Sequence, residues 1–174
     1  LAASSDVVCF GQKNGKIALS ATSDYGGFQY ILNQSTPVSF GETSTKTIEN
    51  LDKGTYSVSI IDAKGCTVLA NTTLQIQEPT QLQVNLQKVV RPKSFSSNDG
   101  SISVKITGGT QSYGVEWSLL PSTILTSNIQ TTILEDAVNS QLGAIGTGEY
   151  QVKVTDKNLC TALLTQKVVA PDKI

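Results

Sequence analysis

The chain has no histidine and no methionine among its 174 residues. Without imidazole there is no Ser-His-Asp or Cys-His nucleophile, no His-ligated zinc and no imidazole general base. Charge is scarce as well. Asp, Glu, Lys and Arg make up 16% of the residues, where soluble domains average about 25%. Thirteen basic against fourteen acidic side chains leave a formal net charge of −1. With no basic run, the chain lacks an electrostatic footprint for nucleic acid. No stretch approaches the roughly 18 apolar residues of a membrane span, so no membrane insertion is expected. The chain starts at Leu1 without a signal peptide, and its natural N-terminus is expected elsewhere.

Ser, Thr, Asn and Gln are abundant instead, the habit of secreted β-rich proteins. They are arranged as a repeat, which decides the fold class. Residues 9–33 align without gaps to residues 94–118 at a shift of about 85, pairing Phe10 with Phe95, Gly15 with Gly100, Ile17 with Ile102 and Thr22 with Thr107. A second block aligns at a shift of about 94, pairing Gly54, Tyr56, Val58, Asp62 and Cys66 with Gly148, Tyr150, Val152, Asp156 and Cys160. The difference marks an insertion at about 119–144 of the second copy. Pro79 and Pro171 close the copies, predicting domains 1–80 and 81–174. The opening strand of the first copy is short, and the ends fit a piece of a longer array.

Within each copy the apolar period is two, the pattern of half-buried strands. Ile17-Ala18-Leu19 and Ile102-Ser103-Val104 alternate, as do Tyr56-Ser57-Val58-Ser59-Ile60 and Tyr150-Gln151-Val152-Lys153-Val154. Turn residues punctuate these runs at Asn14-Gly15, Asp99-Gly100 and Asp62-Ala63-Lys64-Gly65. About seven short strands per copy predict an all-β protein of two tandem immunoglobulin-like antiparallel sandwiches. Tyr56 and Tyr150, each following an apolar residue and a Gly at a strand head, match a tyrosine corner. Trp117 is expected in the core of the third strand. The insertion segment Ile133–Val138 reads equally as a short helix or an added strand.

Three cysteines bear on the compartment. A disulfide between Cys9 and Cys66 would close a loop of about 57 residues and stabilise the first copy by about 2–4 kcal/mol. Ser94 stands where the second copy would carry its first cysteine. Cys160 is therefore expected to be an unpaired, buried thiol, and not a nucleophile. One paired and one orphaned cysteine at the same place suggest an oxidising compartment.

These residues resemble the SprB repeat of Bacteroidetes surface adhesins. The likeness rests on Cys9-Phe10-Gly11, Asn14-Gly15-Lys16-Ile17, Leu51 with Gly54-Thr55-Tyr56-Ser57-Val58, Asp62-Ala63-Lys64-Gly65-Cys66-Thr67 and Glu78-Pro79. In the second copy it rests on Asp99-Gly100-Ser101-Ile102, Thr107-Gly108-Gly109, Gly148-Glu149-Tyr150-Gln151-Val152 and Asp156 to Thr161. Ser94, Ala170 and the pair Ser23-Asp24 depart from the pattern. The resemblance implies a very large cell-surface protein exported by the type IX route and used in adhesion or gliding motility.

The first functional reading is thus an extracellular, non-enzymatic spacer and adhesion module. Its partners would be neighbouring repeats of the same chain, with surface polysaccharide or a solid substratum beyond them, and the chain itself would be monomeric. The alternative is a carbohydrate-binding accessory module of a secreted enzyme, with Tyr25, Phe28, Tyr30 and Tyr113 as the contact aromatics. No catalytic residue is assigned: Asp62 and Asp156 recur at matched positions, but as turn starters. No cofactor is expected. Calcium is unsupported, because the oxygen-rich loops contain no Asp-x-Asp-x-Asp-Gly run. Asn33-Gln34-Ser35 and Asn71-Thr72-Thr73 match the glycosylation sequon by accident.

Overall fold

The alternating runs form strands with one face buried, as their period requires. In the computed structural model, which describes residues 2–121, 123–128 and 137–171, every regular element is a β-strand. The chain divides into two units, Leu1–Glu78 and Pro79–Ile174, two residues before the boundary read from the sequence.

The first unit contains β1 (Ala2–Ser5), β2 (Gly15–Ser20), β3 (Gln29–Leu32), β4 (Val38–Ser39), β5 (Thr45–Leu51), β6 (Gly54–Ile61) and β7 (Thr67–Ile76). They form two antiparallel sheets, β1-β2-β5 and β4-β3-β6-β7. The second unit repeats this order with β8 (Gln83–Val90), β9 (Gly100–Thr107), β10 (Gly114–Leu119), β11 (Thr123–Asn128), β12 (Ala137–Ile145), β13 (Gly148–Thr155) and β14 (Thr161–Val168). Its sheets are β8-β9-β12 and β11-β10-β13-β14. Each unit is therefore an immunoglobulin-like sandwich. The fourth strand pairs with the third, instead of joining the sheet of the first as in a constant-type domain.

Each core lies between the two sheets of its own unit. In the first, Ile17, Leu19, Val58, Ile60, Phe28 and Phe40 are buried together. In the second, Ile102, Val104 and Ile106 of β9 face Trp117, Val152 and Val154. Trp117 is 2% exposed and donates its indole N–H to Ser140 Oγ at 3.2 Å. Full burial of such side chains contributes about 1.5–3 kcal/mol each.

β1 has four residues and β8 has eight. The insertion lengthens the fourth strand from two residues in β4 to six in β11. Most of the segment read as helix or strand, Ile133–Asp136, lies outside the described residues, while Ala137 and Val138 open β12.

Two glycine pairs show why the repeat retains its letters. Gly15 and Gly100 were expected to serve turn geometry, but their requirement is space. A Cβ on Gly15 would meet Ile76 Cγ2 at 2.7 Å, and one on Gly100 would meet the carbonyl of Ile145 at 2.8 Å. The hairpin glycine Gly65 does need its left-handed φ of 81°, and at the matched place Leu159 adopts φ 66° while 80% exposed. A second left-handed position is invisible in sequence: Asn50 (φ 59°) and Ala144 (φ 56°) both occupy the bulge that precedes the strand turn.

A side chain in the left-handed region costs about 1–2 kcal/mol, partly offset by its lower unfolded-state entropy relative to glycine. Leu159→Gly is therefore expected to stabilise the second unit by about 0.5–1 kcal/mol in denaturant unfolding. A loss of stability would mean that the exposed Leu159 side chain holds contacts worth more than its strain.

Candidate functional site

The polar residues shared by the two copies are loop clamps, and they act in matched pairs. The first pair bridges the opening loop: Asn14 Oδ1 accepts the Val8 N–H at 2.9 Å, and Asp99 Oδ1 accepts the Lys93 N–H at 3.0 Å. The second pair is the tyrosine corner. Tyr56 donates its hydroxyl to the Asp52 carbonyl at 2.9 Å, and Tyr150 to the Gly146 carbonyl at 3.2 Å, each four residues upstream. Burial pushes the Tyr150 phenol above its ordinary pKa, with the Gly146 contact opposing.

The third pair is the carboxylate of the hairpin between the last two strands. Asp62 Oδ1 accepts the N–H groups of Lys64 and Cys66, and Asp156 Oδ1 those of Asn158 and Cys160, all at 2.9–3.0 Å. The other oxygen reaches the opposite loop by two routes. Asp62 Oδ2 accepts the Ser23 hydroxyl at 2.9 Å, whereas Asp156 Oδ2 accepts the Thr110 backbone N–H at 2.8 Å. The backbone can come this close in the second unit because Gly109 lacks a Cβ, which would sit 2.8 Å from Asp156 Oδ2. Asp156 is accordingly 3% exposed. Where the second unit uses a backbone donor, the first uses the Ser23 hydroxyl. Both oxygens of each aspartate accept hydrogen bonds from within their own unit.

At the end of the first unit where β7 finishes, Glu78 accepts the Gly11 N–H at 3.0 Å and pairs with Lys53. The Lys53 ammonium also lies 5.5 Å from the centroid of the Phe10 ring. The second unit has Thr147 and Ala170 in place of Lys53 and Glu78. Its Phe95 ring is 78% exposed, beside a cavity of about 630 Å³ bordered by Gly148, Lys167, Val169 and Pro171.

The four aromatics considered as a carbohydrate platform are not brought together on a surface. Phe28 is buried against Phe40 with ring centroids 5.8 Å apart, and Tyr30 packs edge-on to Phe40 at 6.1 Å. Tyr113 is 4% exposed and donates to the Gly108 carbonyl at 2.6 Å. Of the four only Tyr25 is exposed, with the Lys64 ammonium 5.5 Å from its ring. Phe28 and Tyr113 fall on the inward parity of their strand entries, so core packing takes them.

The cysteine assignments are corrected by the structure. Cys66 is a free, exposed thiol and not the partner of Cys9, while Cys9 and Cys160 are both disulfide-bonded. The reason is distance. Cys9 lies beside the end of β7, where Val7 N–H donates to the Gln77 carbonyl and Gly11 N–H to Glu78. Cys66 immediately precedes Thr67 at the start of that strand, and its ten residues span about 30 Å. Disulfide-linked Cα atoms lie at most about 6.8 Å apart. Cys160, expected to be an orphan, is not a free thiol.

Among the described residues, no group of three or more His, Cys, Asp or Glu side chains is placed to hold a metal ion. Nor, among them, is any helix long and apolar enough to cross a membrane.

No family model and no curated protein matches the chain. Solved structures do. A C-terminal fragment of intimin, in complex with the intimin-binding domain of its translocated receptor, is 12% identical with a TM-score of 0.49. It covers 97% of this chain, which spans 63% of that fragment's length. Fibronectin(III)-like modules of Clostridium thermocellum CbhA are 12% identical over 98% of this chain and 95% of theirs, with a TM-score of 0.37. Domains 3 and 4 of rat CD4 are 12% identical over 90% of this chain and 95% of theirs, with a TM-score of 0.36.

The clamps predict how the units fail. Asp156→Ala strands two hairpin donors and one loop donor, and should cost about 3 kcal/mol in denaturant unfolding. Asp62→Ala should cost clearly less, because water replaces the carboxylate at its more open site. Equal losses would contradict the burial difference.

A second prediction concerns acid. For Asp62, desolvation raises the carboxyl pKa, but the bonds from Cys66, Ser23 and Lys64 outweigh it and hold the group below its ordinary value. For Glu78 the Lys53 bond is the main cause of a lowered pKa, followed by the Gly11 N–H. For Asp99 it is the Lys93 N–H, followed by the Ser97 hydroxyl. A carboxyl lowered on folding contributes stability above its unfolded pKa, about 3.9 for Asp and 4.3 for Glu, and loses it as pH falls through the folded value. The melting midpoint should hold from about pH 7 to 5 and drop below about pH 4. A midpoint that is flat down to about pH 2 would refute the assignment.

Proposed function

We propose that this chain is a non-enzymatic repeat module of a large bacterial surface adhesin of the SprB-repeat kind, which spaces the adhesive part of its parent protein from the cell. The observation that carries this reading is where the shared polar residues go. Asn14 and Asp99, Tyr56 and Tyr150, and Asp62 and Asp156 all bond to loop backbone within their own sandwich. Duplication has kept what builds a sandwich. Module stability, multiplied along a chain, is what a spacer requires.

Two further features support an extracellular place for it. The bonded state of Cys9 and Cys160 fits an oxidising compartment. The low charge and the hydroxyl- and amide-rich outer faces suit a surface that is not tuned to an ionic partner. Export by the type IX route and a part in gliding motility belong to the same proposal and rest on the motif resemblance. The carbohydrate-binding alternative loses support, since three of its four aromatics are spent on packing or half-buried.

The test is labelling of intact, unpermeabilised source cells with antibody raised against this chain, with and without external protease. Surface signal abolished by protease is the expected result. Signal confined to the cytoplasm would overturn the reading, and signal found only in the medium with polysaccharide would favour the accessory-module alternative.

A further inference from the structure

We propose that the linker between the two units has one free residue, Pro79, because the chain on each side of it is fastened within its own unit.

On the first side, Gln77 and Glu78 leave the end of β7 and are held by the opening loop. The Gln77 carbonyl accepts the Val7 N–H at 2.8 Å, and its own N–H donates to Asp6 Oδ1 at 2.8 Å. With both backbone groups bonded, Gln77 cannot turn about φ or ψ without breaking one of them. Glu78 is held through its side chain, which accepts the Gly11 N–H at 3.0 Å and pairs with Lys53. That side chain is 9% exposed, so water competes little for either bond.

On the second side, the Thr80 carbonyl accepts the Gly109 N–H at 2.8 Å. Gln81 then passes over Gly108 so closely that a Cβ there would lie 2.0 Å from the Gln81 carbonyl oxygen. Gly108 also has φ 71°, so both its space and its conformation call for glycine. Leu82 follows directly into the core and lies against Gly109. The glycine pair that lets Asp156 reach the Thr110 backbone therefore also seats the segment that enters the second unit.

Pro79 adds little freedom of its own. Its ring fixes φ near about −65°. It also confines Glu78 before it to extended backbone. Boundaries between domains usually fall in flexible linkers that few contacts cross. Here the bonded residues run up to the proline from one side and resume at Thr80 on the other. The use of so short a joint to a spacer rests on the proposed function, but the fastening itself does not.

The test is 15N relaxation on the whole chain, read as amide order parameters at Gln77, Glu78 and Gln81. These three amides belong to peptide groups whose N–H or C=O is bonded on one side of the joint or the other. All three should match the strands β6 and β13, at about 0.85. A value at any of them near or below about 0.6, as in flexible backbone, would overturn the proposal. A chain with Gly-Gly inserted after Pro79 gives the second measurement. The inserted glycines should be flexible while Gln77, Glu78 and Gln81 keep their values. Loss of order spreading to those three would mean that the short connection, and not the bonds, holds them, and would overturn the proposal too. Surface labelling of cells is blind to this joint. A flexible linker would therefore refute the joint and leave the functional reading standing, whereas cytoplasmic signal would refute that reading and leave the joint.

Discussion

Every feature of each unit depends on burying one face of a three-stranded sheet against one face of a four-stranded sheet. Ile17 and Val58 in the first unit, and Ile102, Val104, Ile106 and Val154 in the second, are fully removed from water. This burial fixes strand register, because a slip of one residue would turn the hydroxyl face inward. It also creates the difficulty that the rest of the molecule solves. The connections that close a small sandwich carry backbone donors and acceptors which the sheets do not satisfy.

The solution is the set of paired clamps, and it explains why polar letters recur in two copies that share so little else. A carboxylate that accepts several N–H groups fixes a whole turn with one side chain. A tyrosine hydroxyl reaching four residues back pins the crossing between sheets with a single bond. The two copies meet the same requirement differently where their neighbours differ. Ser23 supplies through its hydroxyl what the second unit supplies through the Thr110 backbone, and Gly109 is the condition for the latter. The cost of variation is visible too: Leu159 holds a backbone conformation that Gly65 adopts freely.

The cysteines follow from the same geometry. The hairpin end and the opening-loop end of the first unit are separated by the full length of β7, so Cys9 and Cys66 cannot be partners whatever their spacing in sequence. The hairpin cysteine is held at an end of the sandwich, where its sulfur faces outward in the first unit.

The sequence by itself determined the fold class, the duplication, the strand faces and the tyrosine corner. Those depend on a period of two and on residues close in the chain, where the physics is local. Gly15 and Gly100 were also legible as fixed points, but their reason was not, since the atoms that forbid a side chain there come from Ile76 and from Ile145. Only the tertiary structure decided the rest. It placed Phe28 and Tyr113 in cores instead of on a platform, paired the fourth strand with the third and separated Cys9 from Cys66. It also buried Asp156 more deeply than its counterpart Asp62. Each of these rests on which groups meet across the sandwich or how far apart its ends lie, and such distances are set by packing between sheets, which no local pattern encodes.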